Sequence, residues 1–295
     1  MIPGGKRHRK VWIGYAFIFP QLLMFIFFYL YPIIEGFRLS FYYITPKETR
    51  FIGWGNYTQL FNDPVFRIAV KNTLIYVVAI VCLTIIFAVF VAASVFDKRS
   101  SYVSLVRGCY YLPCMVSMVV MSMVWNFLLN PANGLVCYYL RTSGFQAFNL
   151  LGNKKTVLAV IIFVTFVSNV GQAVILLIAA MVGVPGELFE AAQIDGAKRV
   201  QNIRHVLLPL ISPTLVYVTV INIVGVLKMF VAVQLLTDGG PNNASVTMMY
   251  YLYQNAFKWN NTGIASAVGV CMFVVAIVFL IPMIKVVLPA NSEKG

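Results

Sequence analysis

The sequence predicts an all-α polytopic membrane protein with six transmembrane helices. Three observations carry that expectation. Hydrophobic residues fill 60% of the 295 positions, charged residues only 11%, and mean hydropathy is +0.84, which are not the values of a soluble domain. Six apolar stretches, at about 12–31, 73–96, 109–129, 157–183, 214–236 and 264–288, reach the length needed to cross a bilayer core, about 20 residues. Lipid offers the backbone no partners, so such runs must be helical, and they lack the alternation of membrane-barrel strands.

Taken in order, the first span follows Lys6, Arg7, Arg9 and Lys10. Tyr29-Leu30-Tyr31-Pro32 stands where a signal peptide would end in small residues, so the span reads as an uncleaved anchor. The positive-inside rule puts both termini in the cytoplasm. The organisation is a cytoplasmic tail at 1–11, a transmembrane domain at 12–288 with a cytoplasmic loop at 184–213, and a cytoplasmic tail at 289–295. Residues 32–72 carry Phe41, Tyr42, Tyr43, Phe51, Trp54 and Tyr57. They read as a helix lying along the outer surface, or as a contact for an external protein.

Several function classes fall away. The net charge of +13 is spread along topology-setting loops, without the basic cluster that nucleic-acid binding needs. Five scattered cysteines and two histidines form no metal-ligand spacing. All nine acids fall in loops, tails or helix ends, so the intramembrane carboxylate common in ion-coupled carriers is missing. GxxxxGK[ST], HExxH and GxSxG are absent. If the protein moves a solute, its energy arrives from another chain.

The fourth span places Thr165, Ser168, Asn169 and Gln172 at i, i+3, i+4 and i+7, one helical face. Such a stripe is either interhelical hydrogen-bonding glue or part of a polar pathway. The fifth span adds Asn222, Gly225, Lys228 and Met229. Lys228 either snorkels outward along its stem or faces the pathway. Pro113, Trp125 and Asn126 on the third span are weaker pathway candidates, Trp125 fitting an interfacial anchor equally well.

Between these spans lies the polar stretch Glu190–Pro213. Val184-Pro185-Gly186 ends the membrane helix, and Glu187–Asp195 predicts a short helix with acids at its N-terminal end. Gly196 follows as a breaker, then a second helical stretch over Ala197–Leu208 runs into Pro209 and Pro213. A simple connection needs only a few residues, so the loop reads as a docking element for a partner, or as an amphipathic helix resting on the membrane.

At this point a family resemblance becomes specific. Glu190-Ala191-Ala192, three residues, Gly196, nine residues, then Val206-Leu207-Leu208-Pro209 resembles the EAA loop of ABC importer permeases, with Asp195-Gly196-Ala197 resembling its sugar-importer variant. Phe51-Ile52-Gly53 with Asn56-Tyr57, Leu236-Thr237-Asp238-Gly239-Gly240-Pro241, and Ala256-Phe257 followed by Gly263-Ile264-Ala265-Ser266-Ala267 resemble further landmarks of the maltose- and multiple-sugar-type branch. The resemblance implies the type I ABC importer permease fold and a non-enzymatic transport subunit that forms half of a sugar pathway. It implies a second permease chain in a heterodimer, an extracytoplasmic solute-binding protein, and two cytoplasmic ATPase subunits that carry the ATP and Mg. This chain itself holds no cofactor. Glu190, Ala191, Ala192, Asp195, Gly196, Ala197 and Pro209 would form the coupling element, with Glu190 contacting the ATPase and Gly196 permitting the turn. One departure stands out: members of this branch often carry an aspartate after the Phe of the fifth span, whereas here Lys228-Met229-Phe230 is followed by Val231. A lysine there is not unusual in such permeases and does not by itself imply an acidic sugar. The competing expectations are an ABC permease for a non-sugar solute and a self-powered secondary carrier.

Overall fold

The computed structural model describes residue 15 and residues 17–144 and 149–292, with side chains as far as Met283. The expected tail at 1–11 with Lys6, Arg7, Arg9 and Lys10, and the end of the C-terminal tail at 293–295, lie outside the described residues. Among the described residues four helices are long and apolar enough to cross a membrane, and two bent pairs raise that to six. The chain divides into two compact units, Met1–Asn62 with Leu252–Cys271, and Asp63–Tyr251 with Met272–Gly295.

In the first unit, helix α1 (Phe17–Leu39) is exposed along its apolar length. Its π turn at Ile26–Leu30 ends two residues before Pro32, where the ring excludes the ordinary hydrogen bond and crowds the carbonyl four residues back. The expected surface helix in the first external segment is in part a β-hairpin. Strand β1 (Tyr42–Thr45) pairs antiparallel with β2 (Glu48–Phe51), Tyr42 facing Phe51 with ring centroids 5.2 Å apart. Four aromatic and β-branched residues and a Pro-Lys turn make strand pairing the better local solution. Helix α2 (Gly55–Asn62) follows. Its buried Asn56 donates to the carbonyls of Ser40 (2.8 Å) and Tyr42 (2.9 Å) and so closes the hairpin base.

In the second unit, α3 (Pro64–Val95) starts nine residues before the expected 73, because Asp63 caps it by accepting from the Val65 N–H at 2.7 Å, with Pro64 at its first position. The third span is a bent pair, α4 (Ser100–Met115) and α5 (Met118–Leu128), meeting at 89°. Ser117 caps α5 through the Val120 N–H. After α6 (Leu135–Thr142), the long α7 (Val157–Val182) falls where the fourth span was expected. The polar stretch forms α8 (Gly186–Ile194) and α9 (Arg199–Leu210), the latter carrying a π turn at Ile203–Leu207 two residues before Pro209. Helix α9 bends by 71° into α10 (Ser212–Leu227). The fifth span then departs from the expected continuous helix: it breaks at Lys228–Phe230 and resumes as α11 (Val231–Thr237). Helices α12 (Met248–Tyr253) and α13 (Thr262–Ser292) complete the chain.

The core of this unit is the seam of α3, α4 and α7. Ala88, Ala92, Ala173, Val174, Leu177 and Ile178 are almost fully buried there. Phe87 meets Tyr110 and Phe166 edge-on. The base of the polar stretch reaches the same core through Leu207 and Ile211. Near the other end of α3, Asn72 donates to the carbonyls of Ala244 (2.9 Å) and Val246 (3.0 Å), and the Thr73 hydroxyl accepts from the Met248 N–H.

Candidate functional site

The polar stripe of α7 and the break in the fifth span meet around one cavity of about 290 Å³. Thr165, Asn169 and Gln172 line it from α7, Asn222 and Gly225 from α10, and Lys228 and Met229 from the break. Asn169 lies near the middle of α7, about 18 Å of helix from either end. Ser168 is not part of the lining: it is buried and donates to the Val164 carbonyl. The remaining lining is apolar, including Ile80, Met118, Phe230 and Val231.

The break is held from two sides. Thr165 donates to the Met229 sulfur at 3.4 Å, and Thr247 donates to the Met229 carbonyl oxygen at 3.1 Å. That carbonyl has lost its helical partner, so a side-chain donor supplies the bond that a buried peptide group requires. Asn169 and Asn222 each donate one amide N–H to the carbonyl four residues back, which leaves a second N–H and a carbonyl oxygen on each for a solute or water. Lys228 is exposed to the cavity and ends α10, its backbone N–H donating to the Val224 carbonyl at 3.3 Å, while its ammonium makes no hydrogen bond or ion pair with any described residue. The structure therefore places Lys228 on the cavity wall and in a helix break rather than within a continuous helix. Sequence periodicity grouped the α7 stripe; it had no means of finding Phe230 and Val231 as neighbours, because only the break turns them to the same space.

The second assembly of candidate residues is the stretch from α8 to α9. Gly196, at φ +80°, turns the chain between the two helices in a backbone region that side-chain-bearing residues avoid. Glu190, Ala191, Asp195 and Pro209 are exposed, Ala192 and Ala197 half-buried. Ile194 and Val200 flank the turn at 87% and 74% exposure, large apolar side chains with nothing over them. The base, by contrast, is tied down. Phe189 packs against Phe96, the rings tilted by 41° with centroids 5.3 Å apart. Arg199 donates to the Ala93 carbonyl at 3.1 Å and to Asp97 Oδ1 at 3.2 Å. A cation is well placed among the last carbonyls of α3, though the ion pair itself is half exposed and contributes at most about 1 kcal/mol. Sequence reading missed this Arg199–Asp97 clamp, since the two are 102 positions apart and neither falls in an apolar period. A cavity of about 600 Å³ opens beside it, lined by Glu190, Gln193, Arg199 and Asn202 among others. No group of three or more metal-ligating side chains occurs among the described residues.

Pro113, Trp125 and Asn126 stand apart from the polar cavity. Trp125 packs edge-on against Phe163, and Asn126 donates to the Leu235 carbonyl.

Comparison with known proteins adds an independent line. The model of a family described as binding-protein-dependent transport system inner membrane component matches residues 84–289. The chain is similar to a probable ABC transporter permease protein, YurN, of Bacillus subtilis, 32% identical, covering 92% of this chain and 95% of that one. It is similar to the arabinooligosaccharides transport system permease AraP of the same species, at 31% with 95% and 89% covered. It is also similar to the sn-glycerol-3-phosphate permease UgpA of Yersinia enterocolitica, at 28% with 90% of each chain covered. Among solved structures, a chain of a bacterial alginate ABC transporter in complex with alginate pentasaccharide-bound periplasmic protein superposes with a TM-score of 0.82, at 26% identity and with 94% of each chain covered.

Proposed function

This chain belongs to the family of binding-protein-dependent transport system inner membrane components, and on that premise we propose that it is a membrane subunit of an ATP-driven importer of carbohydrates. The polar cavity is its share of the translocation pathway. Thr165, Asn169, Gln172, Asn222 and Lys228 offer a hydroxylated solute several weak, replaceable hydrogen bonds, Gly225 and Met229 shape the wall between them, and Ser168 supports it from behind. A pathway that grips loosely at many points lets cargo leave as well as enter.

Energy enters at the α8–α9 stretch, in the cytoplasm, where a partner ATPase docks. Glu190, Ala191, Ala192, Asp195, Gly196, Ala197 and Pro209 belong to that element, and ATP and Mg sit on the partner. The observation that carries the reading is the contrast within this element: an exposed apolar tip at Ile194 and Val200 on a base fixed to the core by Phe189, Arg199 and Leu207. A rigidly rooted, uncovered lever is what mechanical coupling requires. Relatives transport arabino-oligosaccharides and glycerol phosphate, and a structural neighbour works with a saccharide-bound periplasmic protein. They support polyhydroxylated cargo, a periplasmic binding protein that delivers it, and a second permease subunit to close the pathway. Both termini then lie in the cytoplasm and the chain resides in a bacterial inner membrane.

The test is reconstitution of the complex in proteoliposomes. Wild type should accumulate oligosaccharide only with ATP and binding protein present. Glu190→Ala should lower that uptake at least severalfold while the chain still inserts in the membrane. Uptake untouched by Glu190→Ala and by removal of the ATPase would refute the assignment.

A further inference from the structure

The polar cavity holds an uncompensated positive charge. Among the described residues, Lys228 is the only ionisable one in its lining: α3 contributes Ile80, α5 Met118, α7 two amides and a hydroxyl, α10 an amide with Ile221, Gly225 and Val226, and α11 Val231 and Ala232. Among the described residues, these elements put no Asp, Glu, His or Arg into the cavity lining around the ammonium. The three ion pairs among the described residues lie elsewhere. Lys228 ends α10, so the carbonyls of the last helical turn give it a favourable seat. That terminus, however, carries only about half an elementary charge, and a surplus of positive charge remains. Val231, three residues on across the break and in the same lining, presents an isopropyl group rather than a counter-charge.

Isolated charge within a membrane span is costly, and where it persists it usually meets an opposite charge in a pathway. Here the opposite charge is absent from the described part of this chain's wall. We propose that it comes with the cargo: the cavity is built to pass a solute with an anionic oxygen group, a carboxylate or a phosphate, on an otherwise hydroxylated body. The surrounding amides of Asn169, Gln172 and Asn222 suit the hydroxyls, and Lys228 takes the anion. At about 290 Å³ the space on this chain is at the small end of ligand pockets, which run from about 300 Å³ upward, room for one charged sugar unit against this wall. This inference rests on the assignment of the cavity as the importer's pathway and specifies its substrate class.

Two measurements on the complete transporter keep the two readings apart. Binding of a galacturonate trisaccharide, of glucose 6-phosphate and of neutral maltotriose is measured directly on the solubilised complex without binding protein. At least one anionic probe should bind about tenfold or more tighter than maltotriose, and the stronger of the two names the group as carboxylate or phosphate. Lys228→Gln should erase that preference and Lys228→Arg should keep it. Equal binding of charged and neutral probes, or a preference that survives Lys228→Gln, overturns the inference. ATP-driven uptake is then followed in proteoliposomes with the same probes. Anion-selective binding without ATP-dependent uptake of any probe would overturn the importer assignment, and the substrate-class inference with it; uptake that favours the anionic probe supports both.

Discussion

Gly171 is a residue whose missing side chain decides how two helices pack. A Cβ built there would overlap the carbonyl oxygen of Tyr110 and crowd the sulfur of Cys114, so α7 and α4 could not keep their present separation. Gly225, on the cavity wall, has nothing within 4 Å of a built Cβ. The pair gives a controlled comparison. Gly171→Ala should destabilise the fold by about 1–3 kcal/mol, the range for overpacking a close contact, and Gly225→Ala should leave thermal unfolding in detergent almost unchanged. Equal melting temperatures for the two variants would show that the seam yields more easily than the contact implies. Gly263 makes a similar close approach to the Tyr42 carbonyl within the first unit, which gives a packing reason for a glycine that the sequence offered only as part of a family landmark.

At the scale of elements, the turn between α8 and α9 depends on Gly196 at φ +80°. Proline is locked near −65° and cannot adopt that turn, so Gly196→Pro should redirect α8 relative to the fixed base. ATP-driven uptake should fall about tenfold or more, while membrane insertion and helix content by circular dichroism stay at wild-type level. Full activity in this variant would mean that the angle between α8 and α9 carries no motion. The same elements show what was legible beforehand. The polar loop was readable because Glu187, the small Ala191 and Ala192, Gly196 and Pro209 each carry a local signal for a helix start, a face, a stop or a break. The boundaries of α7 were readable because apolar residues dominate from Val157 and run unbroken from Ala173 to Val182, just ahead of Pro185. Breaks inside spans were not. Hydropathy counts apolar residues without regard to direction, so it passed smoothly over Ser117 and over Lys228–Phe230. The Asp63-Pro64 start of α3 was a plain capping signal, but it lies outside the apolar window and was overlooked. The hairpin at Tyr42–Phe51 was hidden because its aromatics suit a membrane-surface helix as well as a strand.

For the molecule as a whole, the placement of charge decides where the driving force enters. Among the described residues the cavity is lined by amides, a hydroxyl, one lysine and apolar groups, with no carboxylate in that lining. A proton or sodium ion would have no acidic group on which to ride through it. What the second unit does have is a mechanical route. Exposed α8 and α9 are rooted by Phe189 on Phe96 and by Arg199 on the end of α3, and Leu207 enters the core shared by α3 and α7. Those two helices then run on to the cavity, where Ile80, Thr165, Asn169 and Gln172 form part of the wall. A displacement of the root is thus delivered to the wall through long packed helices, which transmit strain because their seam is close-packed. The chain alone in vesicles should therefore take up no oligosaccharide, neutral or acidic, when a proton or sodium gradient is imposed. Adding the partner subunits and ATP should start uptake, and Arg199→Ala should slow it severalfold without altering solute binding, because the cavity is left intact and only the rooting of the lever is weakened. Gradient-driven uptake by the isolated chain, or wild-type transport rates in Arg199→Ala, would require the motive force to reach the cavity by some path other than these helices.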